Sequence, residues 1–160
     1  MKKHIVSFFS FLILVFIDQI TKLIAQRDLA AGPVSIIDGV FELHYHENRG
    51  MAFGLLQNQL WIFIVVTIIM LAAIVFCYFR IPAGKRYYPL IGISIFISAG
   101  AVGNFIDRVF RGYVIDFCYI KIINFPIFNL ADIFVTWPAV LLILLLIFKY
   151  KDSEFKKSHD

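Results

Sequence analysis

Charged residues are scarce in this chain, at 16% of 160 positions, whereas 61% are hydrophobic. A soluble domain is roughly 45 to 50% apolar, so a water-surrounded globule is excluded and a bilayer is the expected solvent. Cysteine is limited to Cys77 and Cys118. They fall at opposite ends of the layout developed below, which excludes a disulfide between them. The HExxH pattern of zinc proteases is absent, and no serine stands in a GxSxG elbow. A basic stripe for nucleic acid is missing too, because the lysines sit at the ends of apolar runs rather than along one face. No linker, repeat or low-complexity segment interrupts the chain, so one integral-membrane domain over residues 1–160 is expected.

Long apolar runs are what the chain has in quantity. Stretches near 5–25, 60–79, 89–111 and 132–148 approach or exceed the ~20 residues that span a bilayer core. Lys2 and Lys3 before the first run imitate a signal peptide. That run is too long for a signal h-region and carries Asp18 and Lys22, so it is expected to stay as a span. Basic residues gather at the N-terminus, around Arg80, Lys85 and Arg86, and in the tail from Lys149. The positive-inside rule makes those segments cytoplasmic and turns the two long connections outward.

Function should therefore sit in the outer connections. In the first, Phe41, Leu43 and Tyr45 alternate with Glu42, His44 and His46, which predicts a half-buried strand after a turn at Asp38 and Gly39. Glu42, His44 and His46 would then share a face. Zinc sites want three or four braced ligands, so a polar strand face is the expectation, with no metal and no cofactor. In the second, Gly112 suits a helix stop. The following stretch to Phe128, with Tyr113, Phe117, Tyr119 and Phe125, reads as an interfacial segment. The third run is rich in small residues, from Gly92 to Gly103, and is expected to be the central helix.

Acidic side chains at membrane depth are costly, roughly 2.5 to 3.5 kcal/mol on insertion scales, and they mark function. Asp116 in VIDF and Asp132 in FNLAD can meet at the outer boundary, where two carboxyls sharing a proton would supply an acid and a base. Asn129 and Asp132 also have the spacing of a helix N-cap with an acidic third residue. Asp18 and Lys22 stand i,i+4. An anchor with Lys22 snorkelling to headgroups accounts for the lysine but leaves Asp18 unexplained, so Asp18 is assigned a supporting role. Asn104 with Arg108, and Asp107 with Arg111, repeat that spacing. A solvated helix end accounts for the second pair, while the deeper Asn104 needs partners and could grip a substrate backbone.

Five blocks, DQITK from Asp18, NRGMAFG from Asn48, GNFIDR from Gly103, VIDF ending at Phe117 and FNLAD ending at Asp132, resemble in order and spacing those of the lipoprotein signal peptidase (signal peptidase II) family. That family comprises bacterial intramembrane aspartic proteases. The resemblance implies an all-α membrane protein of four transmembrane helices with a small extracytoplasmic β-cradle. It implies that Asp116 and Asp132 form the catalytic dyad, that Asn48, Asn104, Arg108 and Asn129 line or brace it, and that Asp18 supports it. Lys22, Gly50 and Asp107, from the same blocks, join the supporting set. The implied partners are membrane lipids and a diacylglyceryl-modified prolipoprotein, cut just before its lipidated cysteine in the bacterial cytoplasmic membrane. A small proton-coupled carrier is the alternative, and it predicts polar residues spread from face to face. The inner halves of the runs are instead almost purely apolar.

Overall fold

The computed structural model describes residues 2–50, 59–82 and 84–150. Met51 to Gly54 of the NRGMAFG block and the basic tail from Lys151 lie outside them. In chain order the elements are α1 (Lys2–Asp28), β1 (Val34–Ile37), β2 (Phe41–Asn48), α2 (Leu60–Arg80), α3 (Tyr88–Arg111), β3 (Val114–Ile120) and α4 (Leu130–Phe148). Lys85–Tyr87 and Lys121–Ile123 form short 3-10 turns. All four α-helices are long and apolar enough to cross a membrane. Their outward side chains, such as Phe16, Phe79, Trp137 and Phe148, are exposed. In a bilayer this is the lipid-facing surface, where a helix is viable because its backbone bonds are satisfied internally.

The helix α3 is central, as its small residues predict: α1, α2 and α4 all pack on it. Two of its glycines show why. A methyl group at Gly100 would lie 2.4 Å from the Ala131 carbonyl oxygen of α4, and one at Gly103 would lie 2.4 Å from Asp18 Oδ2 of α1. Only hydrogen at these positions lets the three helices meet at this depth.

The three strands form an antiparallel sheet in the order β1-β2-β3, and β2 and β3 pack against α1. Ala25 and Leu29 near the end of α1 bury against Ile115 of β3, with Leu43, Tyr45, Tyr113 and Phe117 packed around them. That cluster ties the sheet to the end of the bundle where α1 and α3 finish and α4 begins. The turn at Asp38 and Gly39 is present, with Gly39 at φ 72°. Gly112 ends α3 in the left-handed region, φ 80°, as a stop glycine should.

The aromatic stretch after Gly112 contains a strand, Val114–Ile120, paired along β2. One expectation needs correcting: Glu42, His44 and His46 do not share one face. Leu43 pairs with Cys118 and His46 with Asp116, so β2 carries one extra residue between those positions. A bulge of this kind inverts the alternation, which sends His46 to the face opposite Glu42 and His44. Glu42 is already engaged, by Lys121 at 2.6 Å and His44 at 2.9 Å.

Candidate active site

The bulge in β2 builds half of the site. Beyond it, His46 and Asn48 lie on the same sheet face as Asp116, and Asn48 Nδ2 donates to Asp116 Oδ2 at 2.8 Å. Strict alternation from Leu43 would have turned Asn48 away. Gly50, which is buried, donates its backbone N–H to Asn48 Oδ1 at 3.0 Å. With its oxygen taken, the Asn48 amide must present its NH2 to the carboxyl.

The start of α4 builds the other half. Asn129 caps the helix, accepting at Oδ1 from the Asp132 backbone N–H at 3.1 Å, while Asp132 Oδ2 accepts from the Asn129 backbone N–H at 3.0 Å. This reciprocal capping box satisfies two otherwise orphaned donors. It also fixes the Asn129 amide, whose Nδ2 donates to Asp116 Oδ1 at 2.6 Å. One fully buried asparagine thus holds both carboxyl groups.

The remaining oxygen, Asp132 Oδ1, accepts from Asn104 Nδ2 of α3 at 2.8 Å. Each oxygen of Asp116 and Asp132 therefore receives an N–H, and in three of the four cases the donor is an asparagine side chain. Burial is the main force on Asp116, reinforced by the negative charge of Asp132, and together they lift its carboxyl to about 7. The hydrogen bonds from Asn48 and Asn129 act the other way and are outweighed.

Beneath this pair lies an ion cluster. Lys22, Asp18 and Asp107 are all fully buried. Lys22 Nζ stands 2.9 Å from Asp18 Oδ2, 2.9 Å from Asp107 Oδ2 and 2.9 Å from Asn104 Oδ1. Asp18 Oδ1 accepts from the Ala131 backbone N–H at 3.0 Å, which joins α1 to the first turn of α4. Asp107 also pairs with Arg111 and accepts from Gln19 Nε2 at 3.2 Å and from the Ile115 backbone N–H at 3.3 Å. Charged groups without water survive only when paired and hydrogen-bonded in this way.

These contacts overturn two readings of the sequence. Lys22 does not snorkel towards headgroups, since it is sealed between two carboxylates. Asp107 and Arg111 are not a solvated helix end, since Asp107 has no exposure at all. Arg108 lies with its guanidinium 4.8 Å from the Phe63 ring of α2, a cation–π contact. Its NH1 stands 3.4 Å from the Asn104 carbonyl oxygen, at the edge of hydrogen-bond range. Gln19 was not among the residues expected from sequence to serve the site. Gln19 could have been found, because an amide beside Asp18 inside an apolar run needs partners for the same reason that Asn104 does.

A family model for signal peptidase II matches residues 10–148. This chain belongs to the signal peptidase II family. The lipoprotein signal peptidase of Geobacillus kaustophilus strain HTA426 is 41% identical over 138 residues, 84% of this chain and 88% of that protein. Two solved structures described as bacterial membrane enzymes, obtained by the in meso method, are each 33% identical to this chain. The first superposes with a TM-score of 0.80 over 92% of each chain, and the second with 0.78 over 91% of this chain and 94% of the other. Signal peptidase II is a peptidase family, and this member is a multi-pass membrane protein by its four apolar helices. The five sequence blocks are those that the fold draws together: DQITK, GNFIDR, VIDF and FNLAD all contribute to the polar network, as does the described part of NRGMAFG.

Proposed function

We propose that the protein is an aspartic endopeptidase that removes signal peptides from lipid-modified prolipoproteins, with Asp116 and Asp132 as its catalytic pair. The observation that carries this reading is the bridging of the two carboxyls by Asn129, which holds them as one unit. Asp116, lifted to about 7, is the member that keeps its proton in mildly acidic water. It polarises the scissile carbonyl and later gives a proton to the leaving amine. Asp132 is the ionised member, with its charge held by the N–H donors of Asn104 and Asn129, and it takes a proton from the attacking water. No covalent intermediate is required. A carrier would need polar groups along the whole bilayer path, whereas this network gathers at one end of the bundle.

Family membership and the apolar surroundings support a substrate whose lipid chains stay in the bilayer while its peptide bond reaches the polar rim. The purified protein in detergent is expected to cut a diacylglyceryl-modified prolipoprotein just before the modified cysteine. The same precursor without the lipid is expected to be cut far more slowly. Equal rates on the two would replace this substrate with a general secretory precursor.

The rate should depend on pH in a bell. Because the folded-state carboxyl of Asp116 is raised, its proton is present below about 7 and lost above it. Turnover on the alkaline side should fall as that proton leaves, and the acid limb should mark loss of the pair's remaining negative charge. Both apparent values belong to the pair. A rate still rising through pH 9 would rule out a protonated partner.

The charge distribution supports an orientation with both termini and the loop around Lys85 in the cytoplasm and the sheet and carboxyl pair on the outer side. Reporter fusions at Asn58 and Lys85 should therefore give opposite sidedness. Equal signals would remove the proposed orientation.

A further inference from the structure

We infer that Lys22 is a positioning residue for the proposed catalytic pair: it sets the direction of the Asn104 amide, so that Asp132 meets an N–H rather than a carbonyl oxygen. The inference rests on the dyad reading and adds a role for a group that never touches substrate.

An ammonium carries three protons and accepts none. Three acceptors stand at 2.9 Å from Lys22 Nζ: Asp18 Oδ2, Asp107 Oδ2 and Asn104 Oδ1. With its protons committed and its surface fully buried, Lys22 is neither a general base nor a substrate contact. What it can do is discriminate between the two ends of an amide. The Asn104 oxygen faces the ammonium, and Asn129 Nδ2 approaches the same oxygen at 3.1 Å. The NH2 is left for Asp132 Oδ1 at 2.8 Å. If the amide were reversed, an NH2 would meet an ammonium and a carbonyl lone pair would meet a carboxylate. Both contacts would be repulsive.

The same device holds the other two asparagines. Asn48 Oδ1 is pinned by the Gly50 backbone N–H, and Asn129 Oδ1 by the Asp132 backbone N–H. Both of those pins are local to the chain. Only Asn104 has its direction set by a side chain from another helix, 82 residues away. Asp18 and Asp107 balance the lysine, and Arg111 offsets part of the acidic charge.

Lys22→Met alone would strand buried carboxylates and could fail to fold. The test is therefore the charge-balanced pair Asp18→Asn with Lys22→Met, alongside Asn104→Asp, which retains a partner for Lys22. For the balanced pair, kcat on lipidated substrate should fall about ten- to hundredfold, as for loss of one hydrogen bond to a charged group. KM should stay within about twofold, since substrate binding is untouched. The acid limb of the pH–rate profile should move to higher pH. In an Asn104→Leu background the same pair should cost little more, because the amide it directs is gone.

Asn104→Asp should lose about a hundredfold or more at neutral pH, where a second carboxylate oxygen faces Asp132. Part of the rate should return as the pH falls and the new carboxyl takes up a proton that it can donate. Full turnover with an unshifted profile in Asn104→Asp would overturn the inference, whatever the fate of the balanced pair. An independent, additive loss from that pair in the Asn104→Leu background would overturn it as well. The dyad reading has its own test in Asn substitutions at 116 and 132. If those abolish turnover while Asn104→Asp does not, the pair stands and the role of Lys22 falls.

Discussion

Asp116→Asn and Asp132→Asn proteins are each expected to insert and purify like the parent while losing at least about four orders of magnitude in turnover. Asparagine keeps the shape of aspartate but can neither hold the negative charge nor pass a proton. The fold should survive, because the change at 116 disturbs only one contact. The Asn129 amide is locked by its cap, so the amide introduced by Asp116→Asn would turn its oxygen to Asn129 Nδ2 and its NH2 to Asn48 Nδ2. One lost hydrogen bond is worth about 0.5 to 1.5 kcal/mol, too little to unfold a membrane bundle. The double variant should be little worse than either single one, since residues acting as a unit fail together. Asp152→Asn, after the last span, serves as the control and should keep full activity. Cleavage of lipidated prolipoprotein by each purified variant, with unfolding followed in detergent, decides the matter. Substantial turnover in either folded single variant would reduce Asp132 to a helix cap.

A second large effect is expected in the packing of α3, and it separates two glycines of one helix. Replacing a mid-helix glycine by alanine gains about 0.8 to 1 kcal/mol of helix propensity in a soluble host. At Gly92 nothing among the described residues stands within 4 Å of the added methyl, so Gly92→Ala should be neutral or stabilising. At Gly100 the methyl would lie 2.4 Å from the Ala131 carbonyl oxygen and 2.9 Å from Val135 Cγ2. Backbone cannot swing aside, so α3 and α4 must part. Overpacking of this kind costs typically 1 to 3 kcal/mol, and more where a main chain must shift. Gly100→Ala should therefore lower the unfolding temperature and, by moving Ala131 and Asp132 away from Asn104, lower turnover as well. Equal thermal stability of the two variants would show that the helices do not approach so closely.

Much of this was legible in the sequence because the responsible interactions are local. Span positions follow from hydropathy, the end of α3 from Gly112, and the start of α4 from Asn129 and Asp132 three residues apart. The carboxyl pair stood out because aspartate is rare and costly in such surroundings. What escaped depends on distant partners. The strand β1 has four residues, all exposed, and β3 mixes aromatic and aliphatic residues without a clean period of two. A bulge leaves no compositional mark, so the faces of His46 and Asn48 could not be assigned. Lys22 looked like a headgroup anchor because sequence shows its distance from the span end. It does not show that Asp107, 85 positions later, arrives to enclose it.

The bond between Asp18 and the Ala131 backbone joins residues 113 positions apart, and a ribosome makes them in that order. Chains fold from the N-terminal side during synthesis, at about 5 to 20 residues per second. For several seconds, then, α1 waits in the membrane with Asp18 lacking its donor from α4. Asp116, made 98 residues after Asp18, in turn precedes the Asn129 amide that holds it by 13 residues and Asp132 by 16. On the proposed dyad mechanism, a nascent chain assembled this way is inert until its last helix arrives, so the arrival of α4 completes the bundle and switches on the chemistry in the same event.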